Sequence, residues 1–485
     1  MTTECNQASF EFHSHFSREV IGRFDGGSIS SDGGALLLRE VERKTGILHQ
    51  FGACFTDHRD RELIEHAVEE LVAQRVYGLA LGYEDLNDHD DLRHDPLLAV
   101  LVGKKDPTGQ DRLRQRDRGK ALAGKSTLNR LELTPADAAK DSRYKKIVID
   151  QKKAERFYVD MFLQAHPGAP EPPKRIILDL DATDAILHGH QQGRFFHGYY
   201  GNYCYLPLYI FCGEFLLCAR LRPSHIDAPV GCIKILSRIV EQIRSAWPEV
   251  EIVIRADSGF CRESLMAWCE SNRVDYILGL AKNERLTAEI AAELTAARTT
   301  HEATKQPARV FKDFTYQTRE TWSVERRVVG KAEHLAKGEN PRFVVTSIPK
   351  EDIDARTLYE DEYCARGEME NRIKEQQLYL FADRCSAATM RANQQRLWFS
   401  ATAYVLMQAL RRLGLKDTEL AQAQCHTIRL KLLKIGARVR VTVRNVWVSW
   451  AESYPYQAVF RRIHDHLARL AHTFKPAPTA VPLRC

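Results

Sequence analysis

No run in the sequence approaches the roughly 18–20 consecutive apolar residues that a membrane-spanning helix needs, so a helical membrane protein is excluded. The first residues, Met1-Thr-Thr-Glu-Cys-Asn6, carry neither the basic nor the apolar region of a signal peptide. Cysteine is not scarce, with 12 in the chain, but the residues are scattered and no C-x-x-C pair occurs. Neither a zinc site nor a disulfide framework is indicated, and a reduced cytoplasmic compartment is expected.

What is present describes a globular chain of 485 residues, 44% hydrophobic and 28% charged. That length allows two or three domains and a sizeable core. The net charge of +6 is modest, and its distribution matters more. Between Ile428 and Asn445 stand Arg429, Lys431, Lys434, Arg438, Arg440 and Arg444 with no acid among them. Arg112, Arg114, Arg116, Arg118 and Lys120 form a second basic cluster. Local runs of one sign point to an anionic partner such as nucleic acid, although each run is also what a solvated surface looks like.

Along the chain, residues 1–25 read as an extended arm. A helix capped by Asp32 is expected next, then helices near 60–82 and 92–103. Thr134-Pro135 signals another helix, running to about Leu163. The first 165 residues therefore read as a mainly helical N-terminal region. Two motifs there are discounted. Gly119–Ser126 fits the phosphate-loop pattern, but the basic residues before it cannot form the buried strand that an ATP site requires. Asn87–Asp91 with His94 and Asp95 is rich in metal-binding types, yet consecutive residues point apart, which favours a helix-capping loop.

After a Pro-rich linker at 166–173 the texture becomes α/β. Strands are expected at Arg175–Asp181, Tyr205–Phe211, Phe215–Arg220, Glu251–Arg255 and Tyr276–Gly279, with helices at Val230–Trp247 and Arg262–Ser271. Residues 301–350 read as an inserted β-rich subdomain that includes Thr321-Trp-Ser-Val324. A catalytic core would then comprise 174–300 and 351–413, followed by a basic region at 414–485 with an edge strand at Val439–Arg444.

Three carboxylates can meet in such a core. Asp181 ends the first strand and Asp257 the fourth, and open α/β sheets place sites at those carboxyl ends. Asp179, two residues before Asp181, shares its side of the strand and is the alternative to it. In the stretch 363–377, read as one helix, Tyr363, Arg366, Glu370, Lys374 and Gln377 share a polar face, apart from the seam of Ala365, Met369 and Ile373. Glu370 on that face can complete the set. Three acids at one point call for a cation, and hard oxygen donors suit Mg²⁺ or Mn²⁺, as a pair of ions able to act on a phosphodiester.

These motifs resemble those of the DDE transposases of bacterial insertion sequences, in the subgroup marked Y-x2-R-x3-E-x6-K. Tyr363, Arg366 and Glu370 match in identity and spacing. Asp181-Ala-Thr183 resembles the first-acid motif and Arg255-Ala-Asp257-Ser-Gly-Phe260 the second. The resemblance covers about 175–410 and implies a ribonuclease-H-like core, a mixed sheet flanked by helices. It implies Asp181, Asp257 and Glu370 as catalytic metal ligands. Tyr363 and Arg366 would contact phosphates near the scissile bond, and Trp322 in the insertion would stack on an unpaired base, unless it is a core residue. Lys374, Arg438 and Arg440 are expected on the DNA backbone. The implied partners are double-stranded DNA, both terminal inverted repeats and target, and a second copy in the DNA complex. Gln377 departs from the signature, which has Lys there. A nuclease that cuts without joining, or a DNA-binding relative without catalysis, are the rival readings.

Overall fold

A computed structural model describes residues 9–166 and 172–471. The proline-rich linker falls largely outside the described residues. Contacts divide the chain into two units, Asp150–Ala401 and the combined segments Met1–Ile149 and Thr402–Cys485.

The first unit is built on one mixed sheet. Its strands are β1 (Arg175–Ala182), β2 (Leu208–Cys212), β3 (Phe215–Arg220), β4 (Glu251–Ala256), β5 (Asp275–Leu280), β6 (Ala308–Tyr316), β7 (Arg326–Leu335) and β8 (Arg342–Thr346). They lie in the order β3-β2-β1-β4-β5-β8-β7-β6. β1, β4 and β5 are parallel, whereas β2 runs against β1 and β8 against β5. The Cys212-Gly-Glu turn closes the β2–β3 hairpin.

The parallel strands are Ile- and Leu-rich because both of their faces are covered. On one face α1 (Gln151–Ala165), α2 (Cys232–Ala246), α3 (Glu263–Ser271) and α4 (Ala291–Thr304) bury Phe162, Ile243, Met266 and Leu294 in one core with Leu178, Ile252 and Ile254. On the other, Val253, Ile277 and Val344 pack against Leu358 and Tyr359, at the start of the segment leading to α5 (Gly367–Leu380). A long helix, α6 (Met390–Leu413), follows and carries the chain past the end of this unit.

Three expectations change here. The strands of 301–350 form no separate sheet; β8 pairs with β5, so they extend the core sheet. Thr321–Val324 is a loop. No helix starts at Pro135: residues 134–146 are turns and loop, and the β-branched run Ile147-Val-Ile149 pairs with Phe55–Asp57. α1 starts afresh at Asp150, whose carboxylate accepts from the amides of Lys152 and Lys153. It packs on the sheet.

In the second unit, helices such as Val68–Leu81 and Gln457–Arg469 accompany small sheets. The N-terminal arm is a hairpin of Phe10–His15 and Arg18–Gly22. Ala437–Val441 is the middle strand between Val446–Trp450 and Ser28–Ser30, where an edge strand was expected. Asp32 does not cap a helix; its carboxylate takes Tyr83 Oη at 2.8 Å and Lys434 Nζ at 2.8 Å, and a 3-10 turn opens the helical stretch. The residues before Gly119 form a 3-10 turn, not a strand. In the acidic loop, Asp85 and Asp95 accept the amides of Asn87 and Leu97, which is helix capping.

Candidate active site

The parallel register places two of the acids. Leu180 of β1 stands beside Ala256 of β4 as the last pair between these strands, so Asp181 and Asp257 each follow directly where that pairing ends. Asp257 then turns out of the sheet, its carboxylate accepting the Gly259 amide at 2.9 Å and capping the turn Ser258–Phe260. Asp181 accepts its neighbour Ala182's amide at 2.9 Å. Glu370 arrives from the first turn of α5. All three line a single cavity of roughly 580 Å³, together with Arg366, Lys374 and Gln377.

The signature is not carried on one regular helix. Leu358–Tyr363 is a π-turn and Cys364–Arg366 a 3-10 turn before α5 begins at Gly367. The expected 100° steps therefore hold only from Gly367 onward. The irregular turns seat Tyr363 under the site, its ring on the apolar face of the sheet. Its hydroxyl lies so close over Gly279 that a Cβ there would collide with it. Burial raises the Tyr363 pKa, and the phenol engages Arg366.

Arg366 is the charge the acids share. It donates to Glu370 Oε1 at 2.9 Å and stands 4.0 Å from Asp181 Oδ2. Burial works against the guanidinium charge, but Asp181, Tyr363 and Glu370 hold its pKa above the usual value. Asp181 is pushed up to about 6, by burial first; Arg366 opposes the shift, while Asp257 and Glu370 add to it. A carboxylate poised in this way, beside two others and one guanidinium, is a group short of positive charge.

A family model, transposase DDE domain group 1, matches residues 12–472. The chain belongs to that family. No curated protein matches it.

Other expected site residues of the transposase fall differently. Asp179 is taken: it is 3% exposed, and both of its oxygens accept from Arg255, at 2.5 and 2.8 Å. Arg255 also donates to the Glu362 carbonyl, so this pair ties β1 and β4 to the π-turn. Trp322 is 7% exposed, with Tyr316 edge-on at 5.8 Å and the Arg326 guanidinium 5.4 Å from its ring. Both contacts make it a core residue, and no face is left for a base. Gln377 lines the cavity but spends its amide on the Asp184 carbonyl at 3.1 Å. Lys374, one turn earlier, is exposed at the same cavity.

Arg438 and Arg440 project from the middle strand of the other unit and are exposed, with Arg440 5.8 Å from the Trp447 ring. The basic run around them is partly internal. Arg429 is buried and donates to the carbonyls of Leu79 and Ala80, and Lys434 pairs with Asp32. In the first basic cluster Arg112 pairs with Glu65 at 2.9 Å.

Sequence reasoning missed the wall of the cavity formed by His197, Tyr199 and Tyr200. Its signal was legible as a dense aromatic run with no acid, but strands of two to four residues are too short to show a period.

The donor chemistry of the transposase site fits a hard divalent cation: three carboxylates in one cavity, one of them resisting ionisation next to the others. Among the described residues no three His, Cys, Asp or Glu side chains are drawn together closely enough to hold an ion. In this arrangement Arg366 supplies the positive charge between Asp181 and Glu370. No helix among the described residues is long and apolar enough to cross a membrane.

Proposed function

We propose that this transposase cuts the ends of an insertion sequence and joins the freed 3′-OH to target DNA by divalent-metal-dependent phosphoryl transfer. The observation that carries this reading is the meeting of Asp181, Asp257 and Glu370 in one cavity at the carboxyl ends of β1 and β4. The strand order β3-β2-β1-β4-β5, with β2 reversed, supports a ribonuclease-H-like core that β6–β8 extend.

Asp181, Asp257 and Glu370 are the residues to hold Mg²⁺ or Mn²⁺, as two ions. When bound, such ions stabilise charge on the attacking and leaving oxygens of a phosphodiester. Arg366 offers a phosphate its planar donor fork, and Tyr363, its neighbour in the signature, contacts phosphate beside it. Lys374 adds a point charge farther along α5. The DNA is double-stranded, with terminal inverted repeats as one substrate and target DNA as the other. The helical N-terminal region and the basic C-terminal region, with Arg438 and Arg440, hold its backbone. Two copies bring two ends together, ATP has no part, and the work is done in the bacterial cytoplasm at the nucleoid.

The test is an end-cutting and end-joining assay with the full chain, Mg²⁺, and labelled duplexes taken from the flanks of the coding region. A joined product carrying the labelled 3′-OH is expected. Cutting without a joined product favours a nuclease, and binding with no cutting in either Mg²⁺ or Mn²⁺ favours a relative without catalysis.

A further inference from the structure

On the sheet face that carries α1 and α2, the two helices do not close over the outer strand β3. A cleft of about 290 Å³ remains, lined by Val159 of α1, Leu217 and Ala219 of β3, Ile235 and Ile239 of α2, and Trp398 of α6. All of these but Ile235 are buried. Close-packed interiors leave few voids larger than one water, and this one approaches the roughly 300 Å³ at which small-ligand sites begin. It shares no lining residue with the acidic cavity.

The polar groups of the cleft divide into those already engaged and those at its rim. Tyr158 donates to the Trp398 carbonyl at 3.0 Å, and Ser245 to the Glu241 carbonyl at 2.7 Å. Gln242 donates to the Arg156 carbonyl at 3.0 Å and to Asp160 at 2.6 Å. Burial pushes the Cys218 thiol up to about 12, so the wall carries no thiolate at neutral pH. The interior therefore offers a guest apolar contact, and a polar group placed there would lose its water without replacement. At the rim Lys152, Arg156, Arg238 and Glu241 are exposed. Glu155, the other carboxylate of the lining, is held by Arg220 at 2.6 Å and Arg238 at 2.9 Å. Lys152 and Arg156 make no side-chain hydrogen bond or ion pair among the described residues, and Arg156 is only within electrostatic reach of Asp160. The two lie four residues apart on α1, so they share a face and repel each other.

We propose that this cleft is a binding site for a small amphipathic carboxylate, its apolar body against Leu217, Ile239 and Trp398 and its charged end between Lys152 and Arg156. A carboxylate there relieves the repulsion of the two cations and gains charge-assisted hydrogen bonds from both. The apolar body fills space that the helices leave open and takes surface out of water. A cation of the same shape would meet Lys152 and Arg156 as like charges, and a neutral molecule would gain the apolar contact alone. The site is independent of the catalytic reading, because the segment leading to α5 packs on the other face of the sheet.

The test is equilibrium dialysis of the full chain against three probes of equal chain length: octanoate, octanol and octyltrimethylammonium. Octanoate is expected to bind saturably at one site per chain, octanol about tenfold more weakly, and the cation not at all. Ile235→Trp, which fills the cleft from its half-buried wall, should abolish octanoate binding. The double change Lys152→Glu with Arg156→Glu should weaken octanoate about tenfold or more, with octanol held within about twofold because the apolar contact is untouched. Melting curves without ligand show whether Ile235→Trp has folded; if it has not, the double change on the exposed face of α1 decides. Octanoate binding that survives either folded variant places the ligand elsewhere and overturns the proposal. So does binding that never saturates, or that is equal for all three probes.

Discussion

Asp179 and Asp181 lie two residues apart on β1 and each faces a guanidinium, yet the two environments have little in common. Asp179 is closed in, and Arg255 meets both of its oxygens while binding the Glu362 carbonyl as well. Asp181 opens on the cavity, holds one backbone amide, and has Arg366 no nearer than 4.0 Å. A buried acid whose acceptors are filled by one arginine is part of the framework. A more open acid left short of partners, beside two other acids, is where a cation and a phosphate have reason to bind.

The largest effect should separate the two on activity. Asp181→Asn and Asp257→Asn are expected to lower Mg²⁺-dependent cleavage by at least about 10³-fold, with DNA binding kept, as read by product formation against a mobility shift. Asp179→Asn should act through the fold instead, because it leaves Arg255 buried without its counter-charge. A stability loss of roughly 3–5 kcal/mol is expected by denaturant titration, with the specific activity of the folded fraction far less affected than in Asp181→Asn. Equal catalytic losses at 179 and 181 would erase the distinction. Trp322→Ala belongs with Asp179: a core loss of about 3–5 kcal/mol, and single-strand binding by the folded protein unchanged.

Asp181 itself should behave in the opposite way to Asp179 on stability. Its folded pKa is about 6 against an ordinary 3.8. The folded chain thus binds the extra proton, and the stabilisation from this group is full below 3.8 and lost as pH rises through about 6. With the side chain 17% exposed, the ionised form above that window costs on the order of 2 kcal/mol. Asp181→Asn should therefore raise the chain's stability at neutral pH in chelator by up to that amount, and the gain should vanish below the ordinary carboxylate range. Melting curves across pH check the sign. A destabilised Asp181→Asn at neutral pH would place Asp181 with Asp179 as framework.

What could be read from residues follows what is local. β1, β4 and β5 announced themselves as short Ile/Leu-rich runs, and their acids as strand ends, because a parallel strand buried on both faces is mostly apolar. Tyr363, Arg366 and Glu370 were found by spacing, although the turns that seat Tyr363 are irregular and no period encodes them. The partner of Asp179 was not legible: Arg255 is 76 residues away, and only the β1–β4 register brings it alongside. Nor could sequence say that residues 301–350 extend the core sheet, since the β5–β8 pairing is long-range and a strand carries no mark of its neighbour. Trp322 was ambiguous for the same reason, as its burial depends on Tyr316 and Arg326 closing over it.

The smallest effect lies at the point where the chain departs from its family signature. Lys374 and Gln377 both line the cavity, but only Lys374 carries charge there, and Gln377 is engaged with the Asp184 carbonyl just beyond β1. If the cation required by the signature is supplied one turn early, Lys374→Ala should lower cleavage by about tenfold, the cost of one charge-assisted phosphate contact of ~1.4 kcal/mol. Gln377→Lys should then change it by no more than about threefold, because the new ammonium can still donate to the Asp184 carbonyl and the cavity already holds its cation. The reverse pattern, an inert Lys374→Ala and a strongly activated Gln377→Lys, would mean that position 377 is the true phosphate contact and that this chain works below the capacity of its own site.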